Sequence, residues 1–321
     1  TITMNSNKTA LITGITGFVG TWLSNLLQSE GYSVYGFDRW NEFSNQSINY
    51  SQIDILDSLA IGKLLESVRP DHIYHLAAIS YLPEADISPR HAMNINIMGT
   101  ISLLDAVKQF SPNSKVLLVG SSKEYDDSIN SESVSEITHP FPTNFYGISK
   151  YAGELLGQQY CRQFNIDVRC TRSFNHTGPG QSPRFVCSDW AKQVAEIEAG
   201  LRAPQISVGN LDPVIDLPDV RDVVRAYYLI LTSGNAGEIY NVCSGRGIAL
   251  KQILDILIKK SSKNITVQLE DKKLRAHKTN TIMIGDNSKL RNSTSWNTQY
   301  QMSETLEDLM SYWNNELRAE K

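Results

Sequence analysis

Short apolar runs alternate with segments of helical periodicity from residue 8 to about residue 172. Apolar runs bounded by turn residues are typical of buried strands, whereas apolar residues that recur every three to four positions indicate amphipathic helices. Strands and helices that alternate in this way form a parallel sheet with helices on both faces. The predicted strands are 8–13, 32–37, 72–78, 116–119 and 168–173, and the predicted helices are 22–27, 57–68, 94–110 and 145–164.

The pattern changes after residue 172, where the Gly- and Pro-containing loop 175–181 interrupts the alternation. We therefore expect an α/β protein with a Rossmann-type doubly wound parallel sheet and a smaller C-terminal α/β lobe. The sheet domain is predicted at 4–172, with a return of the chain to it near 212–242, and the lobe at 173–321.

The composition narrows the range of partners. The 321 residues carry a net charge of −4 and no basic run, which argues against nucleic acid or an anionic membrane as a partner. No apolar stretch reaches the roughly 20 residues of a membrane-spanning helix. The four cysteines show no C-x-x-C spacing, and the histidines show no metal-ligand spacing. We expect a cytoplasmic protein with reduced thiols and no metal site.

A glycine-rich turn follows the first predicted strand. Gly14, Gly17 and Gly20 stand between strand 8–13 and helix 22–27, which is the strand–turn–helix order of a dinucleotide-binding loop. Glycine lets the backbone turn tightly and approach a pyrophosphate, which binds at the N-terminus of the helix. The spacing is G-x-x-G-x-x-G rather than G-x-G-x-x-G, so the match to the general motif is imperfect.

Further candidates for the same cofactor follow the next strands. Asp38 ends the second strand, where an acidic residue binds the adenosine ribose and repels a 2′-phosphate. The adjacent Arg39 can instead pair with the 2′-phosphate of NADPH. We expect NAD(P)H as the cofactor, with NADH favoured. The candidate cofactor-binding residues are Gly14, Gly17, Phe18, Val19, Gly20, Asp38, Arg39, Asp54, Ile55, Leu76, Ala77, Ala78, Tyr146 and Lys150.

Tyr146 and Lys150 are four residues apart in a predicted helix and therefore share one of its faces. A nearby ammonium is expected to lower the pKa of a tyrosine from about 10 toward the range useful for acid–base catalysis. Ser121, just after strand 116–119, is placed to bind a substrate oxygen. A Tyr-x-x-x-Lys pair alone is common. Beside a dinucleotide site, these three candidate catalytic residues predict proton transfer coupled to hydride transfer at a carbon–oxygen bond.

The glycine motif, Ser121, Tyr146 and Lys150 together resemble the extended short-chain dehydrogenase/reductases that act on nucleotide sugars. The resemblance covers nearly the whole chain and includes 94–104, 172–175, 240–242 and Trp296. Within the family, 174–181, 208–211 and 240–245 are most similar to the GDP-4-keto-6-deoxy-D-mannose reductases. The resemblance implies an NAD(P)-dependent oxidoreductase of deoxysugar biosynthesis, with a role in lipopolysaccharide or other glycans.

The residue two positions after Ser121 bears on the reaction. By the resemblance, 4,6-dehydratases carry a glutamate there and epimerase-reductases a cysteine, whereas this chain has Lys123. A lysine side chain is poorly suited to either role. We therefore expect reduction of the C4 ketone of a nucleotide-linked 4-keto-6-deoxy sugar, with conversion of GDP-4-keto-6-deoxy-D-mannose to GDP-D-rhamnose as the main hypothesis.

Several alternatives stay open. The sugar is alternatively a 6-deoxy-heptose, and the reaction is alternatively that of a 4-epimerase, or of a 4,6-dehydratase that uses Glu124 in a loop shifted by one residue. A non-catalytic dinucleotide sensor is an alternative of another class, although it has no need for the tyrosine, lysine and serine together. Lys123 either contacts the substrate or is a surface lysine without a role.

The resemblance also indicates where a nucleotide-diphosphate sugar, expected to be GDP-linked, would bind in the lobe. Two departures from the family pattern leave the nucleotide and sugar open: Ile215 stands in place of an arginine and Lys278 in place of an acidic residue. Segments 94–110 and 145–164 commonly form a dimer interface in the family, so we expect a homodimer. The candidate substrate-binding residues are Ser122, Lys123, Asn175, Asn210, Leu211 and Arg275.

Overall fold

A computed structural model of the chain describes residues 8–40, 43, 45–270 and 282–319. The strands are β1 (Thr9–Thr13), β2 (Ser33–Asp38), β3 (Asn49–Gln52), β4 (His72–His75), β5 (Lys115–Val119), β6 (Ser131–Val134), β7 (Val168–Ser173), β8 (Gln205–Val208), β9 (Val214–Asp216), β10 (Ile239–Val242), β11 (Gly247–Ala249), β12 (Thr266–Leu269) and β13 (Ile282–Gly285). The helices are α1 (Phe18–Ser29), α2 (Ser58–Val68), α3 (Leu82–Ile87), α4 (Pro89–Met93), α5 (Gly99–Phe110), α6 (Phe145–Phe164), α7 (Val186–Glu198), α8 (Val220–Ser233), α9 (Leu250–Lys259), α10 (Ser288–Thr294) and α11 (Met302–Ala319). A π-helical turn occupies Asn94–Met98 and a 3₁₀ turn occupies Ser122–Glu124.

Seven parallel strands form the main sheet, in the spatial order β3-β2-β1-β4-β5-β7-β10. The strand order reverses between β1 and β4, and in doubly wound sheets the ligand crevice lies beyond the carboxyl ends of the strands at such a reversal. A four-stranded sheet, β11-β9-β13-β6, and the pair β8-β12 complete the sheets described. The predicted Rossmann-type α/β fold is confirmed.

Helices cover both faces of the main sheet. Ala10 and Ile12 of β1 pack in one cluster with residues of α1 and α8, whereas Leu11 packs with residues of α2, α5 and α6. Successive residues of a strand face opposite sides of the sheet, so a buried strand needs apolar residues at every position, as β1 has. A third cluster is built mainly from α7, α9 and α11.

The division into a domain at 4–172 and a lobe at 173–321 stays a prediction. Two strand pairings cross that boundary: β10 pairs with β7 in the main sheet, and β13 pairs with β6 in the four-stranded sheet. Helix α8, which lies in the predicted return segment 212–242, packs against α1. The loops that follow β5 and β7 are therefore held between elements from both parts of the chain.

Residues 8–40, 43, 45–270 and 282–319 contain no group of three or more His, Cys, Asp and Glu placed to hold a metal ion. None of the helices described there is long and apolar enough to cross a membrane. All four cysteines are free thiols, and Cys170, Cys187 and Cys243 are buried.

Candidate active site

The turn between β1 and α1 requires glycine at two positions, Gly14 and Gly20. Gly14 has a φ of +70°, and a Cβ atom there would lie 2.8 Å from the backbone nitrogen of Ala77, which follows β4. A Cβ on Gly20 would lie 2.5 Å from the carbonyl oxygen of Ile15, so α1 packs directly on the turn. Gly17 is the N-cap of α1 and supplies no side-chain cap. The first amide groups of the helix are therefore free of side-chain caps and can bind a pyrophosphate.

The predicted adenosine-binding residues follow β2 and β3. Asp38 accepts hydrogen bonds from Thr16 Oγ1 and from its neighbour's backbone nitrogen, both at 2.7 Å. Arg39 is exposed and lies 4.5 Å from the ring centroid of Trp40. Asp54 is also exposed, and Ile55 is buried beneath it. Together with the partly exposed Leu76, Ala77 and Ala78 after β4, these residues line the carboxyl ends of adjacent strands, where a dinucleotide would lie.

Ser121, Tyr146 and Lys150 meet at the carboxyl end of β5. Tyr146 is hydrogen-bonded to Ser121, and the Lys150 Nζ donates to the carbonyl oxygen of Val119 at 2.8 Å. The same Nζ lies 5.9 Å from the ring centroid of Tyr146. The side chain of Asn144 caps α6 by accepting from Gly147 at 2.8 Å, which fixes the start of the helix that carries both residues. The structure thus brings the three predicted catalytic residues together.

The pKa of Tyr146 differs from the sequence-based expectation. Burial raises it to about 12, and the hydrogen bond from Ser121 only partly offsets that rise. The ammonium of Lys150 does not lower it, because that group donates to the backbone rather than to the phenol. Burial lowers the pKa of Lys150 itself to about 8. Tyr146 therefore keeps its proton at neutral pH and is suited to donate it to an oxygen that becomes negative.

A polar network behind α6 was not predicted from the sequence. Asn96, in the π-helical turn, bonds both backbone groups of Ile79 and donates to Ser149 Oγ at 2.8 Å. Ser149 in turn donates to the carbonyl oxygen of Tyr146 at 2.7 Å. The network joins the loop after β4 to the first turn of α6. Asn96 belongs to the family motif 94–104, but nothing in one sequence shows that its amide reaches α6.

The contacts among three charged residues beneath Ser121 were also not predicted. Glu124 is fully buried and accepts from the backbone nitrogen of Ser121 at 2.7 Å. Arg172 of β7 binds both carboxylate oxygens of Glu154, each at 2.8 Å. Glu154 follows Lys150 by four residues and so shares its helix face, which is the one signal the sequence offered. This position of Glu124 contradicts the shifted loop that a dehydratase would need, because its carboxylate closes the 3₁₀ turn behind the serine.

The predicted substrate-binding residues lie in different parts of the structure and differ in burial. Ser122 is buried next to Ser121, whereas Asn175 is exposed in the loop after β7. The side chain of Asn210 accepts from the backbone nitrogen of Asp212 in its own loop, and Leu211 packs on the core of the lobe. Arg275, like Lys278, lies outside the described residues.

Three further residues lie on the expected substrate side of the site. Lys123 forms an ion pair with Asp127 at 2.5 Å, so its side chain has a structural role. Ile215 of β9 packs against the core of the lobe. His176 stacks on Phe18, with ring centroids 6.2 Å apart, and bonds the carbonyl oxygen of Phe174 through Nδ1. That stacking joins the glycine turn to the loop that carries Asn175.

The family model described as GDP-mannose 4,6 dehydratase matches residues 11–309. The chain belongs to this family of nucleotide-sugar enzymes. It is 30% identical over 310 residues to GDP-6-deoxy-D-mannose reductase of Pseudomonas aeruginosa, across 96% of this chain and 98% of the relative. The predicted membership of the extended short-chain dehydrogenase/reductases is thereby confirmed, as is the prediction of an NAD(P)-dependent enzyme.

Solved structures agree with the fold of this nucleotide-sugar enzyme. RMD from Pseudomonas aeruginosa complexed with NADPH superposes with a TM-score of 0.85 at 29% identity, covering 96% of this chain and 100% of that one. A putative epimerase from Burkholderia cenocepacia superposes with a TM-score of 0.87 at 30% identity, covering 97% and 99% of the two chains. The similarity extends to nearly the full length of both proteins, and therefore includes the lobe.

Proposed function

We propose that the chain is an NAD(P)H-dependent reductase of the C4 ketone of a nucleotide-linked 4-keto-6-deoxy sugar, with GDP-4-keto-6-deoxy-D-mannose as substrate and GDP-D-rhamnose as product. The observation that carries this proposal is the buried Tyr146, which is hydrogen-bonded to Ser121 at the carboxyl end of β5 and whose pKa burial raises to about 12. The reductase of Pseudomonas aeruginosa, similar over nearly the whole chain, supports the choice of substrate.

Each of these residues has a separate role in the proposed reduction. A reduced nicotinamide, when bound along the strand ends, supplies the hydride that C4 of the sugar receives. Ser121 Oγ binds the ketone oxygen and keeps it beside Tyr146, which transfers its phenolic proton to that oxygen as charge develops. The ketone becomes a secondary alcohol, and solvent returns a proton to Tyr146. Lys150 would hold the ribose of the cofactor.

Lys123 supports reduction over 4,6-dehydration and over the cysteine route of the epimerase-reductases. It occupies the position at which the family resemblance places the acid or base of dehydratases and epimerase-reductases, and its ammonium is paired with Asp127. Glu124, the other candidate for a dehydratase, is buried behind Ser121. No side chain at these two positions is thus placed as a second acid or base.

The cofactor preference needs its own test. Asp38 led us to favour NADH, but the similar reductase structure holds NADPH, which gives that preference no support. We propose that Arg39, exposed beside Trp40, pairs with the 2′-phosphate of NADPH. Arg39→Ala should then raise the Kd of NADPH, measured by nucleotide fluorescence, and leave that of NADH unchanged. Equal effects on both cofactors would contradict this role for Arg39.

We also propose a cytoplasmic homodimer that acts in deoxysugar and glycan biosynthesis. The four free thiols are compatible with a reducing compartment. Ile148 and Leu155, seven residues apart on one face of α6, are 42% and 45% exposed, and Met98 before α5 is 48% exposed. Apolar residues grouped on two adjacent helices are suited to association. Leu155→Arg should convert the dimer into a monomer in light scattering; a wild-type monomer would refute the interface.

The direct test is oxidation of NADPH and of NADH in the presence of GDP-4-keto-6-deoxy-D-mannose, with the product identified by NMR. Turnover that requires added cofactor and yields GDP-D-rhamnose is expected. Tyr146→Phe should lower kcat by roughly 10²- to 10⁴-fold while binding of NADPH is retained. Release of tightly bound NAD with interconversion of C4 epimers would identify a 4-epimerase, and unchanged turnover in Tyr146→Phe would remove the proposed mechanism.

If the folded protein binds NADPH but leaves this ketone unreduced, the nucleotide or sugar is a different one. CDP- and dTDP-linked ketones and a 6-deoxy-heptose analogue then form the next panel, because Ile215 removes one positive charge from the expected phosphate site. A loss of one charge-assisted phosphate contact costs about 1.5–3 kcal/mol where nothing replaces it. Binding of NADPH without turnover on any ketone of the panel would favour the sensor.

A further inference from the structure

A pair of buried carboxyl groups lies beneath the catalytic serine. The side chains of Glu124 and Glu154 are 0% and 2% exposed, and the two carboxyl groups lie within hydrogen-bonding reach of each other. A Cβ on Gly120 would lie 2.3 Å from Oε1 of Glu124, so the glycine makes room for this carboxyl group. Two adjacent carboxylates in a dry interior repel each other strongly, and one of them is then expected to hold a proton.

The hydrogen bonds indicate which of the two glutamates carries the proton. Both oxygens of Glu154 accept from the Arg172 guanidinium, at 2.8 Å each, and a bidentate arginine holds a carboxylate in its ionised form. Glu124 Oε1 accepts from the backbone nitrogen of Ser121. Glu124 Oε2 is buried, receives no hydrogen bond from the described residues, and lies 3.7 Å from Arg172 Nε. That nitrogen is already engaged with Glu154, so Glu124 has the free oxygen and lacks a counterion of its own.

We propose that Glu124 is a positioning residue that works as a neutral carboxylic acid, accepting the Ser121 N–H on one oxygen and donating its own proton to Glu154 from the other. This inference rests on the proposed function only in giving Ser121 its role at the ketone oxygen. The two hydrogen bonds fix the backbone at Ser121 and close the 3₁₀ turn Ser122–Glu124. The serine hydroxyl is thereby held in the position where it bonds Tyr146.

The charges that face Glu124 from its surroundings agree with the neutral form. Burial and the Glu154 carboxylate raise the pKa of Glu124 well above its ordinary value, whereas the Ser121 amide and Arg172 oppose that rise. A charge on Glu124 would also affect the pKa values of Tyr146 and Lys150 in α6 and that of the buried Cys170 in β7. An ionised Glu124 would make proton loss from Tyr146 harder. A neutral Glu124 leaves the serine–tyrosine pair free of a nearby negative charge.

Glutamine is the natural test of this proposal. In Glu124→Gln the amide oxygen can accept from Ser121 and the amide NH₂ can donate to Glu154, so both hydrogen bonds survive with no titratable proton. In Glu124→Leu neither survives. We expect Glu124→Gln to keep kcat, KM and unfolding free energy near those of the wild type. We expect Glu124→Leu to lower kcat by about 10- to 100-fold, the effect of a reacting group displaced by roughly 1 Å, with the Kd of NADPH unchanged. Glu132→Gln, which changes an exposed glutamate, is the matched control.

A measurement without substrate separates this proposal from the proposed function. The infrared spectrum of the wild-type protein at neutral pH should contain the carbonyl band of a protonated carboxylic acid. That band should vanish in Glu124→Gln and persist in Glu132→Gln. The result does not depend on turnover, so it stands even if the substrate proves to be another ketone.

Three results would overturn the proposal. They are the absence of that band, a loss of activity in Glu124→Gln as large as in Glu124→Leu, and wild-type kcat in a folded Glu124→Leu. Should Glu124→Leu fail to fold, the glutamine variant and the infrared band decide the matter.

Discussion

Lys123 Nζ lies 2.5 Å from Asp127 Oδ1, and the other oxygen of Asp127 accepts from Thr143 and Asn144, each at 3.0 Å. Asn144 is also the N-cap of α6, through its bond from Gly147. The loop that follows Ser121 is therefore tied to the start of α6 through one carboxylate. These donors hold the pKa of Asp127 below its ordinary value, against the effect of its burial, so the carboxylate stays charged at neutral pH.

This arrangement predicts unequal effects of changing the two partners. Lys123→Ala removes one partly exposed ion pair, which typically contributes about 0–1 kcal/mol, and should leave kcat/KM nearly unchanged. Asp127→Ala leaves three donors without their acceptor and loosens the helix cap, whose loss alone costs about 1 kcal/mol. We expect a larger drop in unfolding free energy and a lower kcat for Asp127→Ala. A large rise in KM for the sugar in Lys123→Ala alone would instead show that Lys123 contacts the substrate.

The glycine turn offers a pair of matched substitutions. Gly14 and Gly31 both have positive φ, +70° and +81°, but only at Gly14 would a Cβ meet other atoms within 4 Å. Gly31→Ala should therefore cost only the conformational penalty, about 1–2 kcal/mol, and leave NADPH binding intact. Gly14→Ala should cost more in urea unfolding and weaken NADPH binding, because the turn must move away from Ala77. Equal losses in both variants, with equal NADPH affinity, would show that the close approach at Gly14 does not matter.

The sequence predicted the main sheet well because its strands and helices are local patterns. The predicted strand 168–173 and the predicted helix 145–164 have the same bounds in the structure. The same patterns could not place β6, a short strand whose partner β13 follows it by about 150 residues. They also could not show that Glu124 and Arg172 meet, since their contact depends on the pairing of β5 with β7.

Within the site, the identities of the candidate residues could be predicted from the sequence, but the surroundings of their side chains could not. Spacing and context selected Ser121, Tyr146 and Lys150, which the structure brings together, but the effect of Lys150 on the pKa of Tyr146 was misjudged. Helical spacing places two side chains on one face without saying where the lysine nitrogen donates, and here it donates to the carbonyl of Val119. Burial, which depends on the whole fold, then decides the pKa of the tyrosine.

The pKa of Lys150 predicts a pH limit for the reductase. Burial lowers it to about 8, so the ammonium that would hold the cofactor ribose is present below that pH and is lost above it. The pKa of Tyr146, about 12, leaves the proton donor intact over the same range. We expect kcat/KM to fall as the pH rises through about 8. Lys150→Arg, which stays charged, should show a lower but pH-independent kcat/KM there, and a wild-type profile flat to about pH 10 would contradict the assignment.

Two buried histidines predict acid sensitivity of the fold. Burial lowers the pKa of His72 to about 4 and that of His75 to about 3. His75 lies between Thr13 and Thr100, at 2.8 and 3.0 Å, where an added proton would enter a dry site. Both folded-state values lie below the ordinary value of about 6.5. The unfolded chain therefore binds protons first as the pH falls, and stability must decrease below about pH 6.5.

The slope of that decrease can be measured. Around pH 5 each histidine should contribute about 1.4 kcal/mol of unfolding free energy per pH unit, observable in urea titrations at several pH values. His75→Gln should reduce the slope by one proton, whatever it does to stability at neutral pH, and His72→Gln should do the same. His139→Gln changes an exposed histidine and is the control. If the slope between pH 6 and 5 were unchanged in both buried variants, the acid sensitivity would have to come from the carboxyl groups instead.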